Sequence, residues 1–149
     1  MKVYLDSSSL FKLYHNEKGA SVLLQWLENQ GVSIIFLSRV SRLEFESTVW
    51  KKVRTRELTE VEALGLIEIF RNDYPRYHWI EIDQETEMYA LDFLNKYGPA
   101  GLRTLDSLHM ASAQKVSRIC NFFLTEDKLL GRFFESENLV VPTLDPPQF

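Results

Sequence analysis

The sequence has 149 residues and a net charge of −4, with 45% apolar and 13% aromatic residues. This size predicts one domain over residues 1–149 with one core. The negative net charge excludes a surface that is basic all over, so a nucleic-acid partner requires a local basic patch. The one cysteine excludes an internal disulfide bond, and no apolar run suits a signal peptide or a membrane span, so we expect a cytoplasmic protein without membrane contact.

The first predicted strand is followed at once by a carboxylate. Residues 2–5 are rich in strand formers, and Asp6 comes next. The serines at 7–9 can cap a helix whose apolar face includes Leu10 and Phe11. In an open parallel sheet, ligands bind beyond the carboxyl ends of the strands. Asp6 is therefore either a cap for the following helix or part of a site at that edge of the sheet.

The second predicted strand, residues 32–37, leads into a helix that carries Glu44 in its first turn. We expect Glu44 at the edge of the inward face. The apolar stripe of this helix is expected to comprise Leu43, Val49, Trp50 and Val53, with Phe45 beside it. A rotation of about 200° separates Glu46 from Glu44, so we expect Glu46 to face solvent. Taken alone, Glu44 is either an acid favoured by the helix dipole or a site residue.

The same helix ends in a basic sequence, KKVRTR. Cations complement the dipole at a helix C-terminus, so a solvated helix end explains them. Contact with the phosphate groups of a nucleic acid is the alternative. The candidates for that contact are Lys51, Lys52, Arg54 and Arg56.

The middle of the chain has recognisable helix starts. Thr59 and Glu62 have the spacing of a capping box and begin the next helix. Residues 78–82 alternate as a strand does, and Asp83 is expected to cap the helix that follows and ends at Gly98.

The stretch TLDSLHMASA, residues 104–113, predicts a helix with a carboxylate in its first turn. Thr104 is the expected cap, and the helix dipole favours Asp106 two residues later. Arg103 has three alternative roles: it forms an ion pair with a carboxylate, contacts a phosphate, or is solvated. His109 lies on a neighbouring face, and we expect an ordinary helix residue with a satisfied ring rather than a metal ligand.

The last strands complete the predicted sheet. Residues 119–124 form the strongest apolar run, followed by Thr125 and by Asp127, which precedes a short helix. A final strand is expected at 139–141, and the tail DPPQF is expected to lack regular structure because of its prolines. The alternation of strands and helices predicts an α/β fold with a parallel sheet of about five strands.

Four acids follow a strand or begin a helix at the same edge of this sheet: Asp6, Glu44, Asp106 and Asp127. Clustered carboxylates without counter-charge raise one another's pKa, and one or two hard divalent cations relieve this repulsion. Oxygen ligands select Mg²⁺ or Mn²⁺, and the chain has no Cys/His set for zinc and no glycine-rich phosphate loop. Metal ions without a nucleotide loop indicate hydrolysis of a phosphodiester.

Four motifs resemble those of PIN-domain ribonucleases, in the order typical of that family: VYLDSSSLFKLY, SRVSRLEFES, GLRTLDSLHMASA and FLTEDKLL. Within that group the chain is similar to the VapC toxins of VapBC toxin–antitoxin pairs. The resemblance implies a three-layer α/β/α fold in which the four acids hold Mg²⁺ or Mn²⁺. It also implies that Ser7 and Thr125 support these acids.

The same resemblance implies the activity and the partners. VapC-type toxins are endoribonucleases, with transfer RNA and ribosomal RNA as candidate substrates, and an antitoxin silences them by filling the site. Homodimers are common in the family. Arg103 and the basic residues 51–56 are then candidates for contact with RNA or antitoxin.

Two other functions remain open from the sequence. A receiver-like phosphoacceptor domain is also α/β, but it needs an acceptor aspartate after the central strand, and Asp83 fits that position poorly. A non-catalytic binding module of the same fold would bind metal without turnover.

Overall fold

The computed structural model describes residues 1–144, which contain four strands and seven α-helices. The strands are β1 (Lys2–Leu5), β2 (Ile34–Ser38), β3 (His78–Ile80) and β4 (Phe122–Leu124). The helices are α1 (Ser7–Phe11), α2 (Ala20–Asn29), α3 (Val40–Arg54), α4 (Glu60–Asn72), α5 (Gln84–Tyr97), α6 (Thr104–Lys115) and α7 (Lys128–Ser136). The predicted tail DPPQF lies outside the described residues. Within residues 1–144, no helix has the length and apolar character needed to cross a lipid bilayer.

The sheet is parallel throughout, with the strand order β3-β2-β1-β4. Leu5, the last residue of β1, pairs with Leu37 on one side and with Leu124 on the other. The carboxyl ends of the three neighbouring strands therefore meet at one edge. This register places the segments that follow β1, β2 and β4 beside one another.

The fifth predicted strand is wrong for the chain as described to residue 144. Residues 139–141 form no strand, and the contact with β4 is a single backbone bond, in which Phe123 N–H donates to Val140 O at 2.9 Å. Leu139 N–H instead bonds back to Phe134 O at the end of α7, and Pro142 has no N–H to donate. The sheet therefore has four strands in this region rather than about five.

Two helical layers cover the two faces of the sheet, as the alternation of side chains along β1 requires. Val3 and Leu5 face a cluster formed with α1–α4, which includes the closely packed rings of Phe45 and Phe70. Tyr4 points the other way, into a cluster formed with α5–α7. The predicted three-layer α/β/α architecture is confirmed.

Local capping signals are confirmed at two helices and wrong at a third. Thr59 and Glu62 form the predicted capping box of α4, and the Asp83 side chain caps α5. Thr104 is not a cap but the first residue of α6, and Arg103 occupies the cap position without a side-chain hydrogen bond. The helix therefore begins without the help of a capping side chain.

The buried face of α3 differs from the predicted stripe. Val49 is buried as predicted, but Leu43 is 72% exposed and Trp50 is 37% exposed. Phe45, which was expected beside the stripe, is buried. The reason is tertiary, because the Phe45 ring packs against Phe11 of α1 and Phe70 of α4, which rotates this face inward. The helix also begins at residue 40, so Glu44 lies in its second turn and beside Phe45.

Candidate active site

Asp6 lies at the end of β1 and is almost fully buried. Its Oδ1 accepts hydrogen bonds from Ser9 N (2.9 Å) and Ser8 Oγ (2.7 Å), so it caps α1, and its Oδ2 accepts one from Thr125 Oγ1. Burial raises the pKa of Asp6 above its usual range, although the charge of His109 and the bond from Thr125 oppose this. Asp6 therefore serves as a cap and also stands at the sheet edge predicted for a site.

Glu44 reaches the same edge from α3. Its Oε2 accepts a hydrogen bond from Ser7 Oγ at 2.9 Å, and its Oε1 lies 2.6 Å from His109 Nε2. Ser7 was expected to support the acids, and the structure places it on Glu44, one residue beyond Asp6. The first residue of α1 thus connects the ends of β1 and α3.

His109 is the site residue whose partners the sequence did not reveal. Its side chain is 2% exposed, and its Nδ1 lies 2.6 Å from the Tyr4 hydroxyl, so the ring is satisfied as predicted. Burial alone lowers the pKa of His109, but the hydrogen bond and charge of Glu44 and the nearby aspartates outweigh burial and raise it. Tyr4 lies in β1 two residues before Asp6, and this period of two was the available signal.

Asp106 lies in the first turn of α6 and is partly buried. Burial raises the pKa of Asp106, and the negative charge of Asp127 raises it further. Asp6 and Glu44 act in the same direction, while His109 opposes them. Within residues 1–144, no protein group donates a hydrogen bond to the Asp106 carboxylate, so its charge is poorly compensated.

Asp127 stands between β4 and α7 and is exposed. Its Oδ1 accepts hydrogen bonds from Leu129 N (2.9 Å) and Leu130 N (3.1 Å), which caps α7. Its own N–H donates to Thr125 Oγ1 at 3.0 Å. Thr125 therefore links Asp127 to Asp6, as a supporting hydroxyl would.

The donor set suits a hard divalent cation, but the site is not preformed. Carboxylate oxygen is the ligand that Mg²⁺ and Mn²⁺ prefer, and the uncompensated Asp106 is the kind of group that a cation stabilises. Among the residues that the structure describes, no three side chains of His, Cys, Asp or Glu are already arranged to hold a metal ion. The charge and the oxygen atoms of these side chains therefore suit a divalent cation, although the side chains do not yet form a coordination shell.

The predicted basic contacts form two groups, one near the C-terminal end of α3 and one at Arg103, the N-cap of α6. Lys51, Arg54 and Arg56 are exposed at the C-terminal end of α3, which is about 15 Å along the helix from Glu44. Lys52 is mostly covered and pairs with glutamates, Glu57 at 2.8 Å and Glu17 at 3.7 Å. Arg103 is exposed at the start of α6. The structure therefore offers an exposed basic end of α3 and one exposed arginine, Arg103, close in sequence to Asp106.

Asp83, the acceptor in the receiver-like alternative, follows an edge strand rather than a central one. Its Oδ1 accepts hydrogen bonds from Thr86 N and Oγ1 and from Lys115 Nζ, which hold the pKa of Asp83 well below its usual range. This carboxylate acts as a helix cap with a lysine partner, beyond the edge strand β3.

A family comparison matches residues 3–133 to the PIN domain. The chain belongs to the PIN-domain family. A comparison with curated proteins finds no match. The PIN assignment therefore rests on the family match, and the fold agrees with it.

Solved structures with the same fold cover nearly the whole chain. FitAcB from Neisseria gonorrhoeae has a TM-score of 0.70 and 15% identity, over 93% of this PIN chain and 95% of that chain. VapC20 from Mycobacterium tuberculosis, described as a sarcin-ricin loop cleaving toxin, has a TM-score of 0.66 and 12% identity, over 88% and 94%. A toxin–antitoxin complex from Klebsiella pneumoniae has a TM-score of 0.65 and 18% identity, over 94% and 96%. At such identities the likeness establishes the PIN fold alone.

Proposed function

We propose that this PIN-domain chain is a Mg²⁺- or Mn²⁺-dependent endoribonuclease that hydrolyses phosphodiester bonds of RNA. The observation that carries the proposal is the state of Asp106. Burial and the charges of Asp127 and Asp6 raise its pKa, and no donor among residues 1–144 compensates it. Such a costly arrangement is typical of groups kept for function rather than for stability.

The proposed ligands of the cation are Asp6, Asp106 and Asp127. When bound, a divalent cation lowers the pKa of a water molecule and neutralises the charge that develops on the phosphate. Glu44, which Ser7 and His109 hold on both oxygens, orients the attacking water and takes its proton. The water oxygen then bonds to phosphorus, the bond from phosphorus to the leaving ribose oxygen breaks, and that oxygen takes a proton from solvent.

We further propose that the chain is the toxin of a toxin–antitoxin pair. Support comes from the neighbours with the same fold, one described as a toxin and one as a toxin–antitoxin complex. The proposed partners are a cognate antitoxin and a second copy of the chain, and the proposed substrates are transfer or ribosomal RNA in the cytoplasm. Exposed apolar side chains on α4 and α5 offer surface for protein partners: Val61, Leu64, Met88 and Leu91.

The deciding experiment is cleavage of a mixed pool of transfer and ribosomal RNA, with and without Mg²⁺ or Mn²⁺. Wild type is compared with Asp106→Asn and with Asp92→Asn, an exposed aspartate on α5 that serves as the matched control. We expect discrete fragments that need the cation and persist with Asp92→Asn. Losing the Asp106 carboxylate should reduce the rate by about a hundredfold or more.

Two results would contradict the nuclease proposal. Cleavage by Asp106→Asn at the wild-type rate would remove this carboxylate from the reaction. Binding of Mn²⁺ by a wild type freed of any antitoxin, with every RNA left intact, would favour the non-catalytic binding module. A co-purified antitoxin is therefore removed before the assay, and its presence would itself support the toxin proposal.

A further inference from the structure

A chain of side-chain hydrogen bonds runs from β1 through α6 to α3. The Tyr4 hydroxyl lies 2.6 Å from His109 Nδ1, and His109 Nε2 lies 2.6 Å from Glu44 Oε1. Tyr4 is fully buried and His109 is nearly so. Because water does not compete at buried groups, the bond between Tyr4 and His109 is stronger than it would be at the surface, while Glu44 at the other end is partly exposed.

The chemistry of the carboxylate decides which atom carries the hydrogen. An ionised Glu44 can only accept, so the hydrogen between it and the ring belongs to His109 Nε2. In the neutral ring Nδ1 is then an acceptor, and the Tyr4 hydroxyl is the donor that fits it. In a doubly protonated ring the same contact persists, with Nδ1 donating to the Tyr4 oxygen. In either state, Tyr4 holds the ring so that Nε2 points at Glu44.

Glu44 is consequently held from two sides by donors on two different elements. Ser7 Oγ donates to Oε2 at 2.9 Å, while His109 Nε2 donates to Oε1. Two donors on two oxygens fix the rotation of the carboxylate about its terminal bond. Each oxygen retains a further lone pair, which can accept a hydrogen from water.

We infer that His109 is a positioning residue for RNA cleavage and that Tyr4 sets the orientation of its ring, an inference that rests on the proposed function. His109 acts through Glu44, whose carboxylate it holds in the orientation that receives the proton of the attacking water. Both ring nitrogens are engaged, so the ring has no free nitrogen with which to ligate a metal ion. His109 therefore affects the rate of the chemical step rather than the binding of RNA or cation.

The rival explanation is packing alone. His109 is surrounded by the core layer of α6 and Tyr4, and a purely structural side chain there could be replaced by any apolar group of similar volume. Positioning requires a hydrogen-bond donor at the place of Nε2. The two explanations therefore predict different results for a leucine and for a glutamine.

The test uses three variants of the full chain. His109→Leu keeps bulk and removes both hydrogen bonds, His109→Gln keeps an N–H near the place of Nε2, and Tyr4→Phe removes only the hydroxyl. The matched controls are His78→Gln, at an exposed position on β3, and Tyr89→Phe, on α5. Circular dichroism identifies the variants that fold, and steady-state cleavage gives kcat and KM separately.

We expect kcat to fall by about 10–100-fold in His109→Leu and Tyr4→Phe, the range for residues that orient a catalytic group. KM for RNA and the affinity for Mn²⁺ measured without RNA should stay within about twofold, and His109→Gln should recover part of kcat. A folded His109→Leu with wild-type kcat overturns the inference. An equal loss of kcat in His109→Leu and His109→Gln also overturns the inference. If His109→Leu does not fold, the nearly isosteric Tyr4→Phe decides in the same way.

A second measurement needs no activity. Nitrogen-15 NMR of the imidazole in the metal-free protein should show the Nε2 resonance moving in Glu44→Gln and the Nδ1 resonance moving in Tyr4→Phe. Unchanged resonances in both variants overturn the hydrogen-bond chain, and with it the inference. A wild type that cleaves no RNA overturns the proposed function instead, and the spectra then judge the hydrogen-bond chain separately.

Discussion

Thr125 donates a hydrogen bond to the buried Asp6 and joins the carboxyl ends of β4 and β1. The same hydroxyl oxygen accepts the N–H of Asp127, so one side chain sets the spacing of two of the proposed metal ligands. Because the two strands are hydrogen-bonded neighbours, their ends cannot drift apart. The sheet and the threonine together define this side of the site.

This relationship predicts the effect of removing the hydroxyl. Thr125→Val keeps the shape and loses the donor, so we expect cleavage to slow by about tenfold or more, while Thr125→Ser stays near wild type. The measurement is the initial rate of RNA cleavage, with the exposed Thr143→Val as the matched control. Equal rates for the valine and serine variants would argue against support by the hydroxyl.

The raised pKa values of Asp6 and Asp106 predict that the site destabilises the metal-free protein at neutral pH. An acid with a raised pKa binds more protons when folded, so the free energy of unfolding falls as the pH rises from the ordinary pKa towards the folded one. Asp106→Asn removes one such charge and should raise the free energy of unfolding at pH ~7 by about 0.5–2 kcal/mol.

The measurement is urea unfolding in EDTA between pH ~4 and pH ~7.5. The advantage of Asp106→Asn over wild type should shrink as the pH falls towards the ordinary range of aspartate, about 3.9, because wild type then becomes protonated in both states. Asp92→Asn is the control and should follow wild type. A variant less stable than wild type at neutral pH would contradict the predicted direction of the effect.

Divalent cations should stabilise the folded chain through the same acids. A cation at a hundred times its Kd adds about 2.7 kcal/mol, which corresponds to a rise in Tm of roughly 5–10 °C for a chain of this size. Thermal melts with Mn²⁺ should show this rise in wild type, a much smaller one in Asp106→Asn, and its reversal by EDTA. The same rise in both proteins would place the cation elsewhere.

The basic end of α3 should act on RNA binding and not on chemistry. We expect the triple variant Lys51→Ala, Arg54→Ala and Arg56→Ala to raise KM and to flatten the dependence of KM on salt, by about 0.7 in slope per lost phosphate contact. Because these residues lie far along the helix from Glu44, kcat should not change. The control is Arg118→Ala, an exposed arginine outside α3. Unaltered KM and salt dependence would leave the residues as a solvated helix end.

Local signals in the sequence were sufficient for much of the fold. A capping box needs only Thr59 and Glu62 three residues apart, and the run that precedes Asp6 forms the strand it predicts. The sequence does not show whether a segment with the composition of a strand forms enough hydrogen bonds to join the sheet. The segment 139–141 has the composition of a strand, yet α7 and Pro142 leave it with one bond to the sheet.

The sequence also did not predict which face of α3 is buried. Leu43 and Trp50 fit an apolar stripe, but they are exposed, and Phe45 is buried because it packs against aromatic residues of α1 and α4. Composition does not decide this, because α3 has apolar residues on more than one face. Which face is buried depends on the partners that surround it.

The sequence by itself determined four of the strands and the helix caps at Thr59 and Asp83, because these signals act between residues close along the chain. It also determined that acids follow β1 and β4 and lie within α3 and α6. Only the tertiary structure decided that His109 would meet Glu44, 65 positions away, and that Tyr4 would complete that contact. The physical reason is that a parallel sheet brings together the ends of strands that are distant in sequence. The packing of α3 and α6 over that edge then selects which side chains touch.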